Sequence, residues 1–306
     1  MNKGSDKLAR RATTVEELES VRSRFFDETK TEIGLAFKPR PSDVIISPYA
    51  KCGTTWLQQI THGLRTRGSM DFDEINSVIP WIEIAYDVGW NLDASQVAEP
   101  RIYKSHANWH TVPKGARYIC SFRHPHDAFV SFYRFFEGWL FEPGTISLES
   151  LMQWRWPRKK ADVQGYWFHL ISWWEQRDNE NVLLLCYEDM KAGLPETVKR
   201  IARFMGITLD NELFDIVVRQ SSHEFMLAHS DKFNERHIRE IGGKRAGLPP
   251  PIDTSKVTSG TLGNPRYKLS PNLKQDLDEI WQEQVQPKFG FANYDELRQA
   301  MKAKHG

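Results

Sequence analysis

Apolar residues in this chain fall into short, nearly unbroken runs separated by amphipathic stretches. Val44 to Ser47, Ile102 to Ser105, Tyr118 to Phe122 and Val182 to Cys186 are apolar with little alternation, the pattern of strands buried on both faces. Thr55 to Arg67, Asp127 to Phe136, Tyr166 to Gln176 and Pro195 to Met205 read as helices. Strands alternating with helices predict a parallel sheet with right-handed crossovers, covered on both faces. The expected fold is therefore α/β: a single three-layer domain, residues 1–306, with a central parallel sheet. Ligands of such sheets bind outside the carboxyl ends of the strands.

The ends are less regular. Thr14-Val15-Glu16-Glu17 is a capping sequence that opens an N-terminal helix and lead-in over 14–40. Residues 229–268 carry Gly242-Gly243, Gly247, Pro249-Pro250-Pro251, Gly260 and Gly263. A loop of that length inside a compact domain is expected to be a lid or cofactor loop. Ser270 to Gln284 and a last stretch from Asn293-Tyr294 give C-terminal helices over 269–306.

Composition narrows the class. With 306 residues, 40% of them hydrophobic, the chain can bury a full core. Forty-one Lys plus Arg against 40 Asp plus Glu leave a net charge of +1, which excludes the strongly basic balance of a nucleic-acid binder. Positive charge must therefore act locally. No apolar run is long enough to span a bilayer, and the polar start Met1-Asn2-Lys3-Gly4-Ser5-Asp6-Lys7 lacks a signal-peptide core; a cytoplasmic protein is expected. Cys52, Cys120 and Cys186 form no Cys-x-x-Cys pair, which suits a reducing compartment and argues against a metal site.

The most informative segment is Ile45-Ile46-Ser47-Pro48-Tyr49-Ala50-Lys51-Cys52-Gly53-Thr54-Thr55-Trp56. An apolar strand runs into a small loop with one lysine and then into a helix. Gly53 lets the backbone approach a ligand, and the N–H groups of Thr54 and Thr55 open the helix toward an oxyanion. Lys51 adds a full charge. A Walker A loop is ruled out, since Gly-x-x-x-x-Gly-Lys-Ser/Thr is absent.

This P-loop-like segment resembles the 5′-phosphosulfate loop of the cytosolic-type sulfotransferases, whose usual form is Tyr-Pro-Lys-Ser-Gly-Thr-Thr-Trp. Three further motifs follow in family order. Arg101-Ile102-Tyr103-Lys104-Ser105-His106 ends as the family's Lys-Thr-His does; Arg123-His124-Pro125-His126-Asp127, with Ser131 eight residues after the arginine, is similar to its second signature; Tyr187-Glu188-Asp189-Met190 repeats its Tyr-Glu-Asp-Met. The chain is identified as a member of that family, similar to its bacterial-type, small-molecule enzymes.

The resemblance implies transfer of a sulfuryl group from 3′-phosphoadenosine 5′-phosphosulfate (PAPS) to a hydroxyl or amine by in-line displacement, leaving adenosine 3′,5′-bisphosphate (PAP), without a metal. It implies Lys51 at the bridging oxygen, His106 as general base and Lys104 beside the leaving group. Locally, His110, His124 and His126 compete with His106; the resemblance selects His106. Cys52, Gly53, Thr54 and Thr55 would cradle the phosphosulfate. Arg123 and Ser131 would bind the 3′-phosphate. Trp56 and Tyr187 would flank the adenine, with Ser221 and Met226 adding contacts and His223 standing where a phenylalanine is usual.

One departure is clear. The family carries Arg-Lys-Gly in a late loop that clasps the 3′-phosphate, and the local match is Thr258-Ser259-Gly260-Thr261-Leu262-Gly263, without either cation. Lys256, or the pair Lys244-Arg245, is the expected substitute. The acceptor pocket should draw on Ala107, Asn108 and Trp109, on Trp81 to Trp90 including Glu83 and Asp87, and on Phe141, a lining suited to a polar or cationic small molecule. Nucleic acid and membrane are not expected partners, and a homodimer is left open. Two other readings remain at this point: an ATP-dependent phosphotransferase, and a PAPS- or PAP-binding homologue without catalysis.

Overall fold

A computed structural model describes residues 10–156, 165–250, 252, 256–257 and 267–305. Four strands, β1 (Val44–Ile46), β2 (Ile102–Lys104), β3 (Arg117–Phe122) and β4 (Val182–Cys186), form one parallel sheet in the order β2-β1-β3-β4. β1, the strand that feeds the loop, is central. Alternate residues along each strand enter different cores. Ile45, Tyr103, Tyr118, Cys120 and Leu184 join one cluster, while Val44, Ile46, Ile102, Ile119 and Leu183 join the other. Helices cover both: Thr54–Thr66 and Leu194–Met205 on the second, Pro125–Phe136, Tyr166–Trp174 and Pro271–Gln284 on the first. The sandwich is thus the three-layer α/β domain that the apolar runs predict.

The register at the strands' amino ends is fixed by a buried ion pair. Arg101 reaches Asp43 with two N–H donors at 2.6 and 3.0 Å, and Asp43 accepts the Arg117 backbone N–H at 2.9 Å. This aligns β1, β2 and β3 so that their carboxyl ends open at one edge.

The expectation of an irregular loop over 229–268 needs correction, because Arg236–Ala246 is a helix. Its two glycines misled the reading: a Cβ on Gly242 would lie 2.4 Å from the Phe25 ring. Glycine there permits close packing against the N-terminal helix Val15–Phe25. Thr14 caps that helix as expected, accepting from the Glu17 N–H. Among the described residues, no helix is long and apolar enough to cross a membrane.

Candidate active site

The loop after β1 turns through two left-handed residues, Lys51 (φ 70°) and Gly53 (φ 105°). Glycine is required twice over at Gly53. Its φ disfavours a Cβ, and that Cβ would meet the Tyr187 ring at 3.1 Å and the Ser121 hydroxyl at 3.3 Å. The loop is tied from β3: Ser121 Oγ donates to the Cys52 carbonyl at 2.5 Å, and Arg123 Nη1 donates to the Lys51 carbonyl at 3.0 Å. Cys52 has no exposed surface, and burial pushes its thiol up to about 12, so it is an inert filler of the loop. Cys120 and Cys186 are likewise buried and unpaired with each other.

Helix Thr54–Thr66 begins at Gly53, which points the first N–H groups, including those of Thr54 and Thr55, toward the loop mouth. Trp56 crosses to the far wall: its indole donates to the Ser221 carbonyl at 2.7 Å and its ring meets Tyr187 edge-on at 5.6 Å. The Arg123 guanidinium lies over the same Tyr187 ring at 4.4 Å. No ion pair between Arg123 and Asp127 occurs among the described residues. Ser131 sits within helix Pro125–Phe136, beyond Arg123. Met226 is buried in the short helix His223–Ala228 that follows Ser221, while His223 is exposed.

His106 stands one strand away, just past β2. Its Nδ1 lies 2.8 Å from the Pro48 carbonyl oxygen. A carbonyl only accepts, so Nδ1 carries the hydrogen and Nε2 is left as the acceptor. Its backbone N–H donates to Glu83 Oε1 at 2.6 Å, which also takes the Ser105 hydroxyl at 3.0 Å. Trp81 packs edge-on against the imidazole at 4.9 Å. Burial, with Lys104 nearby, holds His106 well below its usual pKa, so the ring is neutral. The competing histidines are engaged elsewhere. His126 bonds Asp278 at 2.8 Å, His124 caps its helix, and His110 is exposed beside Phe168.

Lysines converge on this end. Lys51 Nζ lies 4.1 Å from the Phe135 ring centre, Lys256 Nζ 5.6 Å from the same centre, and Lys104 Nζ 3.8 Å from the Trp81 ring. Lys104 and Lys256 share one carboxylate, Glu235 Oε1. Arg239 lies over Phe135 as well. Burial lowers Lys51 to about 7, with Arg123, Arg239 and Lys104 adding to the effect against the pull of Glu235. Burial also depresses Lys256. Although burial alone would raise Glu235, Lys104 and Lys256 hold it well below the usual carboxylate range.

Sequence reading missed Glu235, Arg239 and Phe135. Glu235 and Arg239 lie far along the chain from the motifs, and Phe135, though four residues after Ser131, reads as an ordinary apolar position of its helix. It also offered Arg245 as a phosphate clamp, which the structure corrects: Arg245 grips Asp87 with two bonds of 2.7 and 2.9 Å. Asp87 is thereby neutralised, with Lys30 also at 3.8 Å, and is not a free anionic lining. Gly260, with the whole Thr258 to Gly263 match, lies outside the described residues.

The other acceptor-side expectations divide. Trp81 and Glu83 are at the His106 end, and Glu83 Oε2 is buried without a partner. Ala107 uses its carbonyl to accept from Ser47 Oγ at 2.8 Å and from the Trp173 indole at 3.2 Å. Asn108 caps the His110 N–H at 2.9 Å, and Trp109 packs on Tyr118 and Trp173. Phe141 is fully buried against Tyr133. Ala107, Asn108 and Trp109 are thus occupied by packing and backbone bonds, and Phe141 lies against Ala12 and Glu137.

The residues present suit an anionic adenosine donor. Thr54 Oγ1, Ser221 Oγ and the Arg123 Nε are buried without partners, polar atoms at the helix start, on the far wall and past β3 that a polar ligand would satisfy. The lysines outnumber the acid they share.

A loop with one lysine thus stands at the carboxyl edge of a parallel α/β sheet and opens a helix. The match to known proteins is specific. Residues 41–298 match the sulfotransferase domain family. The chain is 31% identical to the 3-alpha-hydroxysteroid sulfotransferase of Cavia porcellus over 275 residues, 85% of this chain and 90% of that protein. It is 27% identical to the amine sulfotransferase of Oryctolagus cuniculus, covering 81% and 82%. The crystal structure of mouse sulfotransferase SULT7A1 complexed with PAP shares the fold, with a TM-score of 0.61, 18% identity and coverage of 96% and 94%. The chain belongs to the sulfotransferase family and is an enzyme of that class.

Proposed function

We propose that the donor is PAPS and that His106 takes the proton of the acceptor's hydroxyl or amine. The observation that supports this most strongly is the Nδ1 bond to Pro48, which leaves Nε2 of a neutral imidazole as a proton acceptor beside the lysine-bearing loop. When bound, the donor supplies a sulfuryl group whose sulfur bonds to the acceptor atom as its bond to the bridging phosphate oxygen breaks, the electron pair passing to that oxygen.

This chain's residues divide the remaining work. The N–H groups of Thr54 and Thr55 and the Lys51 ammonium lie where the leaving phosphate's charge grows. Lys104 adds a second cation, placed by β2. Arg123, with Ser131 following in its helix, offers a fork for the 3′-phosphate, while Trp56 and Tyr187 present an aromatic corner for the adenine. Trp81 and the His106 ring exclude water from the transfer point. Glu83 fixes the His106 backbone and keeps Oε2 for a donor on the acceptor, which favours an acceptor with an amine or second hydroxyl. Three free, buried cysteines suit a reducing compartment such as the cytoplasm.

A transfer assay with PAPS and a panel of hydroxysteroids, phenols and amines tests the reading. Sulfated product should form with at least one class and disappear in His106→Ala. Retained turnover in His106→Ala would remove this residue from the role of base.

A further inference from the structure

We propose that Glu235 is a positioning residue of the transfer centre, whose buried carboxylate holds Lys104 and Lys256 side by side at the His106 end of the loop. Lys256 then serves the sulfuryl group and its leaving oxygen, and does not replace the family's 3′-phosphate clamp. This rests on the PAPS reading above.

Placement carries the inference. Glu235 Oε1 bonds both ammoniums. Lys104 lies over Trp81, whose ring packs on His106. Lys256 shares the Phe135 ring with Lys51. The 3′-phosphate candidate is held separately: Arg123 lies on Tyr187 and donates to the Lys51 carbonyl, and among the described residues no hydrogen bond or ion pair joins it to Lys104, Lys256 or Glu235. Lys256 therefore belongs with Lys51, Lys104 and His106.

Charge explains why an acid is needed among groups that attract an anion. Buried ammoniums close together repel one another and are expelled or lose their protons unless a carboxylate lies between them. Glu235 is 3% exposed and sits at φ 58°, a left-handed conformation that a side chain with a Cβ seldom adopts. It opens helix Arg236–Ala246, so a rigid element sets its carboxylate between β2 and the segment carrying Lys256. One acid for two lysines keeps them aimed and leaves positive charge over.

The test uses the full chain with Lys256→Met, Glu235→Gln and Glu235→Asp. Each is titrated calorimetrically with PAP and with 5′-AMP, and kcat is measured with PAPS. In Lys256→Met, PAP affinity should stay within about threefold of the wild type and the preference over AMP should persist, while kcat falls about thirtyfold or more. Glu235→Gln should show the same split, and Glu235→Asp should recover part of kcat. Loss of about tenfold or more in PAP affinity with AMP binding unchanged in Lys256→Met would make Lys256 the 3′-phosphate clamp and overturn the inference; so would an unchanged kcat. Lys256→Met leaves Glu235 paired with Lys104 and decides the matter even where Glu235→Gln fails to fold. A wild-type protein that does not prefer PAP to AMP would overturn the donor reading itself, before any variant is made.

Discussion

His106 donates through Nδ1 to the carbonyl oxygen of Pro48, 2.8 Å away in the loop that carries Lys51. One bond thus sets the tautomer of the base and ties it to the loop. His106→Ala should lower kcat by about 10²- to 10⁴-fold, the usual worth of a general base, and leave PAP affinity nearly unchanged. Parallel losses in turnover and PAP binding would show that the ring is a support for the loop.

Gly53 is the hinge of that loop, with φ 105° and the Tyr187 ring 3.1 Å from where a Cβ would lie. Gly53→Ala should cost about 1–2 kcal/mol of stability in urea unfolding, since a left-handed turn is forced on a residue with a Cβ. Affinity for PAP should fall about tenfold or more, because the Thr54 and Thr55 N–H groups shift with the turn. Wild-type affinity in Gly53→Ala would count against the loop as the phosphosulfate site.

Lys51 gives a pH signature. Its pKa is lowered from the ordinary lysine value of 10.5 to about 7 by burial. Between those values the unfolded chain binds the extra proton, so this group makes the free protein more stable as pH rises through that window. A bound phosphate dianion favours the ammonium and draws the proton back. PAP binding at about pH 8 should therefore take up close to one proton through Lys51, whereas at about pH 6 Lys51 should contribute almost none. Calorimetry in two buffers of different ionisation heat measures this, and Lys51→Met should abolish the uptake at the higher pH.

Asp43 and Arg101 are 0% and 2% exposed and joined at 2.6 Å. Asp43→Ala leaves a guanidinium buried without its partner and should destabilise the fold by about 3–5 kcal/mol in urea unfolding. Asp43 lies at the opposite end of β1 from the loop, so the folded fraction should still bind PAP.

The sheet was legible because β1 to β4 are buried on both faces and read as unbroken apolar runs, and the loop was legible because Gly53, Lys51 and Trp56 stand at fixed spacing around a strand end. The helix Arg236–Ala246 was not: Gly242 weakens its helical pattern for the sake of contact with Phe25, and sequence carries the propensity but not the contact. Glu235 was illegible for another reason. Its partner Lys104 is 131 residues away, and nothing local distinguishes a buried counter-ion from a solvated acid. Arg245 was misassigned on the same ground, since its pairing with Asp87 spans 158 residues.

The most direct measurement is a calorimetric titration of the protein with PAP, with 5′-AMP and ATP as controls. The arrangement of Lys51, Arg123, Thr54 and Ser221 predicts that PAP binds more tightly than AMP by about tenfold or more, the difference being the 3′-phosphate, and that ATP does not compete. Equal binding of PAP and AMP, or preference for ATP, would contradict a cradle built for a 3′-phosphorylated donor.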